Sequence, residues 1–329
     1  MSLFSTVAEF LKPAPLLDPS LRKALDRVAD MVDPLLKATP GFEKHLSGPV
    51  EYALGYCDGL VASLPGPIDI NRKAFANDPL VHALFATADD IDQMLGRSQA
   101  VRDFLAEPRS WESEYFYAMF AARRQQKKQL GMAQQGEFIR HDVSQLVLYF
   151  SGQTLIEPNC ELDTTLHGLR SLAMDSLLHT FRAHVHALRD EREGLRSDVS
   201  VERAHIALLR GTSGGTERTV GTRHLAELDA KLRLTAESLM PEHLITALAD
   251  YLKSPEPALH LTPVSITVDR QGIVSDESTE DVNVHTLSFP ELTARDRRLH
   301  LAMLARISRD EALEAVEMVR DQQHRFMLI

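Results

Sequence analysis

The chain has 329 residues, 44% hydrophobic and 25% charged, which is ample apolar content for one large or two modest domains and not the composition of a disordered chain. A formal net charge of −11 excludes a nucleic-acid binder that works by overall electrostatics, although a local basic patch remains open. Two cysteines, Cys57 and Cys160, exclude a disulfide framework and a cysteine-rich zinc site and fit a reducing compartment.

The opening stretch lacks the basic flank and unbroken apolar run of a signal peptide, and the longest apolar runs are about five residues against the roughly 20 that span a bilayer. A cytoplasmic protein without a transmembrane segment is expected. Leu3, Phe4, Val7, Phe10 and Leu11 predict a short amphipathic helix ending before Pro13. With only Lys12 set against Glu9 it reads as packing on the protein's own core, not on a membrane.

Asp18-Pro19, Thr39-Pro40, Gly48-Pro49 and Asp78-Pro79 each put a capping residue or glycine before proline and predict helix starts. Asp33-Pro34 reads as a break inside a periodic run. Val50, Ala53, Leu54, Cys57, Leu60, Val61 and Leu64 form one apolar stripe stopped by Pro65-Gly66-Pro67, with Cys57 a small core residue. Short helices are expected at Pro79 to Phe85, Ala88 to Leu95 and Gln99 to Leu105. Ser110 then reads as the cap of a longer helix, aromatic first (Trp111, Tyr115, Phe116, Tyr117, Phe120) and basic later (Arg123, Arg124, Lys127, Lys128). A core face and a dipole-complementing C-terminus account for that pattern better than a nucleic-acid strand does.

At Gly136 the pattern changes to strands: Glu137 to His141, Gln145 to Phe150 and Thr154 to Glu157, with Ser151-Gly152-Gln153 as a turn. The unalternating Leu146 to Phe150 should be covered on both faces. Next comes a continuous helical period from Leu162 to Leu209, about 48 residues and about 70 Å long. It folds back at Gly211 to Thr216 into a helix carrying Leu225, Leu228, Leu232, Ala236 and Leu239. Ser265 to Val268, Ile273-Val274 and Val282 to Phe289 supply a second β region with a turn at Asp269 to Gly272. Thr293 with Asp296 and Ser308 with Glu311 predict two final helices.

The expected fold is therefore α+β and mainly α-helical: a multi-helix body with a small antiparallel sheet and a long protruding antiparallel helical hairpin. Its regions are residues 1–131 (helical), 132–160 (first β segment), 161–253 (hairpin insertion, tip at 211–216) and 254–329 (second β segment and C-terminal helices), with 254–329 packing with 1–160 as one body.

No G-x-S-x-G elbow, H-E-x-x-H or dinucleotide fingerprint is present, and no cofactor is expected. His141, Asp142, Arg140 and Cys160 are the polar groups near strand ends that an enzyme or small-ligand site at the sheet/helix junction would use. Asp175, His179, His186 and Asp190 share a helical line, yet histidines seven apart lie about 10 Å from each other, too far to ligate one metal; a solvated face is the better reading. The 211–216 loop lacks a P-loop lysine, and the acidic run Asp276, Glu277, Glu280, Asp281 lacks the spacing of a calcium loop. The preferred functional expectation is protein interaction or scaffolding through the hairpin. Between Arg189 and Glu237 about nine basic and about nine acidic residues nearly cancel. The stripe Leu195, Val199, Ile206 and Leu209, opposed by Leu225, Leu228 and Leu232, has gaps at Arg192 and Glu202 that a partner or second copy would complete.

Overall fold

The computed structural model of the chain describes residues 18–135, 138–209, 215–269, 271–274, 284–294 and 299–327. The expected N-terminal amphipathic helix, the 211–214 part of the hairpin tip and the acidic run Asp276 to Asp281 lie outside the described residues. Two compact units emerge, Met1–Gly55 with Leu177–Pro255, and Tyr56–Ser176 with Glu256–Ile329. Among the described residues no helix is long and apolar enough to cross a membrane.

In the first unit, Asp18 caps α1 (Pro19–Val32), and Asp33 accepts from the Leu35 amide to start a 3₁₀ turn at Pro34–Ala38, so the Asp33-Pro34 pair is a break. Helix α2 follows at Phe42–Ala62 and carries its core stripe into the second unit. Gly48-Pro49 is not a helix start: Pro49 lies inside α2. Later in the chain come α7 (Leu162–Leu209), unbroken over 48 residues, α8 (Gly215–Ser238) and α9 (Pro241–Leu252). The rings of Phe181 on α7 and Tyr251 on α9 meet at a tilt, 5.4 Å between centroids, and Arg189 of α7 pairs with the buried Asp33. Farther along, α7 and α8 run side by side. Arg203 meets Asp229 at 3.0 Å, and a side chain at Gly221 would collide with Glu202 and Ile206.

The second unit contains β1 (Ile68–Asp69), α3 (Arg72–Asn77), α4 (Pro79–Leu84), α5 (Asp89–Arg97) and α6 (Gln99–Ala106). It continues with β2 (Tyr115–Gln135), β3 (Phe138–Asn159), β4 (His260–Asp269), β5 (Val284–Thr293), β6 (Leu299–Ser308) and α10 (Arg309–Met327). The sheet overturns the expectation of a small one. Its six strands run β3-β2-β6-β5-β4, antiparallel except for β1 beside β6, and β2 and β3 are 21 and 22 residues long.

Three expected elements are corrected with it. The segment after Ser110 is strand β2, not a helix: Phe116, Ala118, Phe120 and Ala122 are buried at a period of two, and clustered aromatics favour the pleated surface. The three short strands expected in this region are, from Phe138 onward, one strand, β3. Its pairing with β2 slips three times, each time spending three residues of β3 against two of β2, and at each slip a β3 residue holds positive φ: Asp142, Gly152 and Glu157. Bulges absorb an extra residue without ending pairing, so the expected turn at Ser151 to Gln153 is a bulge. Finally, the helix expected from Thr293 is replaced by the end of β5 and by β6, whose residues Leu301 to Ala305 are all buried, as in a strand covered on both faces.

The sheet curls until it meets itself. Gly272 to Val274 bonds to β3 (Leu148 N–H to Gly272 O and Val274 N–H to Leu146 O, both 2.8 Å), and Val274 also bridges back to Val268 of β4. Gly272 has φ 77, and any Cβ there would strike the Leu148 carbonyl, so this closure needs glycine. The rings of Phe150 on β3 and Phe289 on β5 meet edge to face at 5.5 Å across the inner face. Helices α4 to α6 and α10 cover that face. Gly96 lets α5 approach the Ala315 backbone of α10 where a side chain could not fit.

Candidate functional site

The outer face of the same sheet carries a second, smaller apolar cluster. Met119, Ile156, Leu261, Leu292, Ala302 and Leu304 meet Val61 and Leu64 at the end of α2 and Leu162, Leu166 and Leu169 at the start of α7. The meeting is incomplete. A cavity of about 240 Å³ remains between Leu60 and Val61 of α2, Leu64 just past its end, Leu169, Leu172 and Ala173 of α7, and the strand residues Met119, Ile156, Leu261 and Leu292. Ser176 supplies the one hydroxyl among the described lining side chains.

Local structure fixes the walls. Helix α2 stops where Ser63 Oγ donates to the Leu60 carbonyl, just before Pro65. Tyr56 Oη donates to Leu259 O at 2.6 Å, holding α2 against the approach to β4. Thr165, buried in the first turns of α7, donates its hydroxyl to Tyr117 O of β2 at 3.1 Å. Arg170 and Asp58 form an ion pair at 3.2 Å between α7 and α2. These polar anchors fix three elements at a spacing their apolar side chains do not fill, and apolar walls around a gap of this size suit a small apolar group: a cavity of about 150 Å³ is enough for benzene. What the site can do chemically is take up an apolar group. Cys57, on the same helix, is buried and desolvation pushes its thiol up to about 12, so it is a core residue and not a nucleophile.

The candidate catalytic residues are not brought together. His141 and Asp142 sit exposed at the bulge farthest along the β2–β3 ribbon, and Cys160 follows the other end of β3, where its thiol donates to Arg109 O at 3.2 Å. Nearly twenty strand residues, at most roughly 60 Å of extended chain, separate them along β3. Arg140 is placed by its pairing register alone, opposite Ala133.

Along α7, Asp175, His179, His186 and Asp190 spread over about 22 Å. His179, His186 and Asp190 are exposed, and the His186 Nε2 lies 3.4 Å from Arg182 Nε. No grouping of three metal-ligating side chains occurs among the described residues.

In the α7–α8 pair, Val199 and Leu228 are buried, and Leu195, Ile206, Leu209, Leu225 and Leu232 are half-buried. Sequence reasoning does not single out the cavity residues: Leu60, Val61, Leu64, Leu169 and Ala173 read as core stripes, and Met119, Ile156, Leu261 and Leu292 come together only in the folded sheet. Leu172 is the signal: an apolar residue one position off the core line of α7, and 38% exposed here. No known protein family, curated protein or solved structure detectably matches this chain.

Proposed function

We propose that the chain binds a small apolar molecule, or the apolar end of an amphiphile, at the junction of α2, α7 and the outer sheet face. The observation that supports this is the 240 Å³ cavity with apolar walls held open by hydrogen-bonded anchors. Its volume lies below the roughly 300–1,000 Å³ of sites for drug-sized ligands, which favours a single ring or a short aliphatic chain. Decanoate and toluene are suitable probes. The wild type should bind at least one of them and gain thermal stability as its concentration rises. Ala173→Phe, which projects a ring into the gap, should weaken that binding about tenfold or more while the protein stays folded. Equal binding in the variant, or none in the wild type, overturns the reading.

A second reading, protein interaction through α7 and α8, is favoured by one observation. Val201 and Leu208, seven residues apart on α7 and opposite its buried line, are 65% and 78% exposed. Val201→Glu with Leu208→Glu should abolish self-association or partner recovery without loss of folding. Unchanged sedimentation and recovery remove it.

A further inference from the structure

On the opposite side of β3 lies a cleft of different chemistry. Its volume is about 680 Å³, and it runs between the α5–α6 junction and the β3 bulge at Gly152. The floor is Met94, Phe150 and Leu155, all buried. The walls are polar: Asp90, Gln93 and Arg97 from α5, and Ser151, Gln153 and Thr154 from β3.

Several of these groups are already oriented. Asp90 accepts from the Thr87 amide at 2.7 Å and its hydroxyl at 3.0 Å through one oxygen, leaving the other carboxylate oxygen to the cleft. The Gln153 amide donates to Leu84 O and Phe150 O, which fixes the group and leaves its carbonyl as an acceptor. Gln93, Arg97, Ser151 and Thr154 make no side-chain hydrogen bond or ion pair among the described residues. The bulge creates the wall: Gly152 is at φ 65, and a Cβ built there would meet nothing within 4 Å, so the backbone turns its open side outward.

The composition narrows the ligand. One arginine offset by one aspartate gives no net field for a phosphate or other polyanion. Fixed amide and carboxylate acceptors, free hydroxyls and a guanidinium, set above an apolar floor, match a ligand that alternates hydroxyl groups with C–H faces. We propose that this cleft is a binding site for a neutral, hydroxyl-rich small molecule of mono- or disaccharide size, separate from the apolar cavity on the other sheet face.

Saturation-transfer NMR on the full chain, with glucose, galactose, maltose and N-acetylglucosamine as probes at about 10 mM, tests this, since that concentration occupies most of a site with Kd near 1 mM. At least one sugar should give transfer. Arg97→Ala and Gln93→Ala should each weaken it, the arginine change by about tenfold, as expected for a lost charged hydrogen bond. Both residues are exposed, so both variants should melt with the wild type. No transfer from any probe, or transfer unaltered in both variants, overturns the proposal. So does displacement of the sugar by equimolar inorganic phosphate, which would make the cleft an anion site.

Discussion

On the inner face of the sheet Phe116, Phe120, Leu301 and Met303 are sealed under α4 to α6 and α10, whereas on the outer face Met119, Ile156, Leu261 and Leu292 are only partly covered by α2 and α7. Both faces belong to the same strands and differ by one residue of register. What differs is the cover. Helices α5 and α10 close up through Gly96, while α2 and α7 are held by hydrogen bonds from Tyr56 and Thr165 at positions that leave a gap. Close packing is the rule in protein interiors, so the unfilled face is the one to examine for a ligand.

The largest effect that would break this contrast comes from truncating each face. Phe120→Ala, fully buried on the inner side, should cost about 3–5 kcal/mol in urea unfolding. Leu169→Ala, on the outer side, should cost nearer 2 kcal/mol because it enlarges a space that already exists. If Leu169→Ala costs as much as Phe120→Ala, the outer face is packed as tightly as the inner one and the cavity is not real.

The ion pairs sharpen the comparison at smaller magnitude. Arg124 grips Glu291 through both carboxylate oxygens (2.5 and 3.2 Å) on the inner face, and Glu291 is buried, so Glu291→Ala should cost about 2–3 kcal/mol by stranding the guanidinium. Arg306 grips Asp69 in the same bidentate way at the outer face, at 2.7 and 2.9 Å, but both side chains are 43% exposed. Asp69→Asn should therefore cost well under about 1 kcal/mol.

That small contribution has a defined pH window. The Arg306 hydrogen bond holds the Asp69 carboxyl below its ordinary value against a weaker opposing effect of burial. A carboxyl depressed in the folded state stabilises above its unfolded value of about 4, and the gain is lost as pH falls through the folded value. Wild type and Asp69→Asn should differ at pH 6 and converge in acid. A difference that persists at pH 2 would assign the effect to packing.

The helices that announce themselves by punctuation and period are where the residues say: Asp18 and Asp78 cap as expected, Asp33-Pro34 interrupts its run as expected, and the period of α7 runs unbroken from Leu162 to Leu209. These are local decisions, made by a cap's reach to the next amides and by a repeat that holds within one element. Strand β2 carries a helix-like pattern because aromatic and basic residues fit either period, and the deciding alternation of Phe116, Ala118, Phe120 and Ala122 spans only seven residues. The three breaks in β3 look like strand ends, since Asp142, Gly152 and Pro158 are turn residues; pairing with β2 across each of them turns ends into bulges.

Composition, caps and periodicity by themselves determined the α+β content, the helix of 48 residues and the core identity of Cys57. Tertiary structure alone decided that the sheet is large and closes through Gly272, that Arg124 meets Glu291 across 167 residues, and that the outer cluster leaves room. Those outcomes depend on contacts between segments distant in the chain, where a one-residue slip of register changes every neighbour, and no local pattern of residues carries that information.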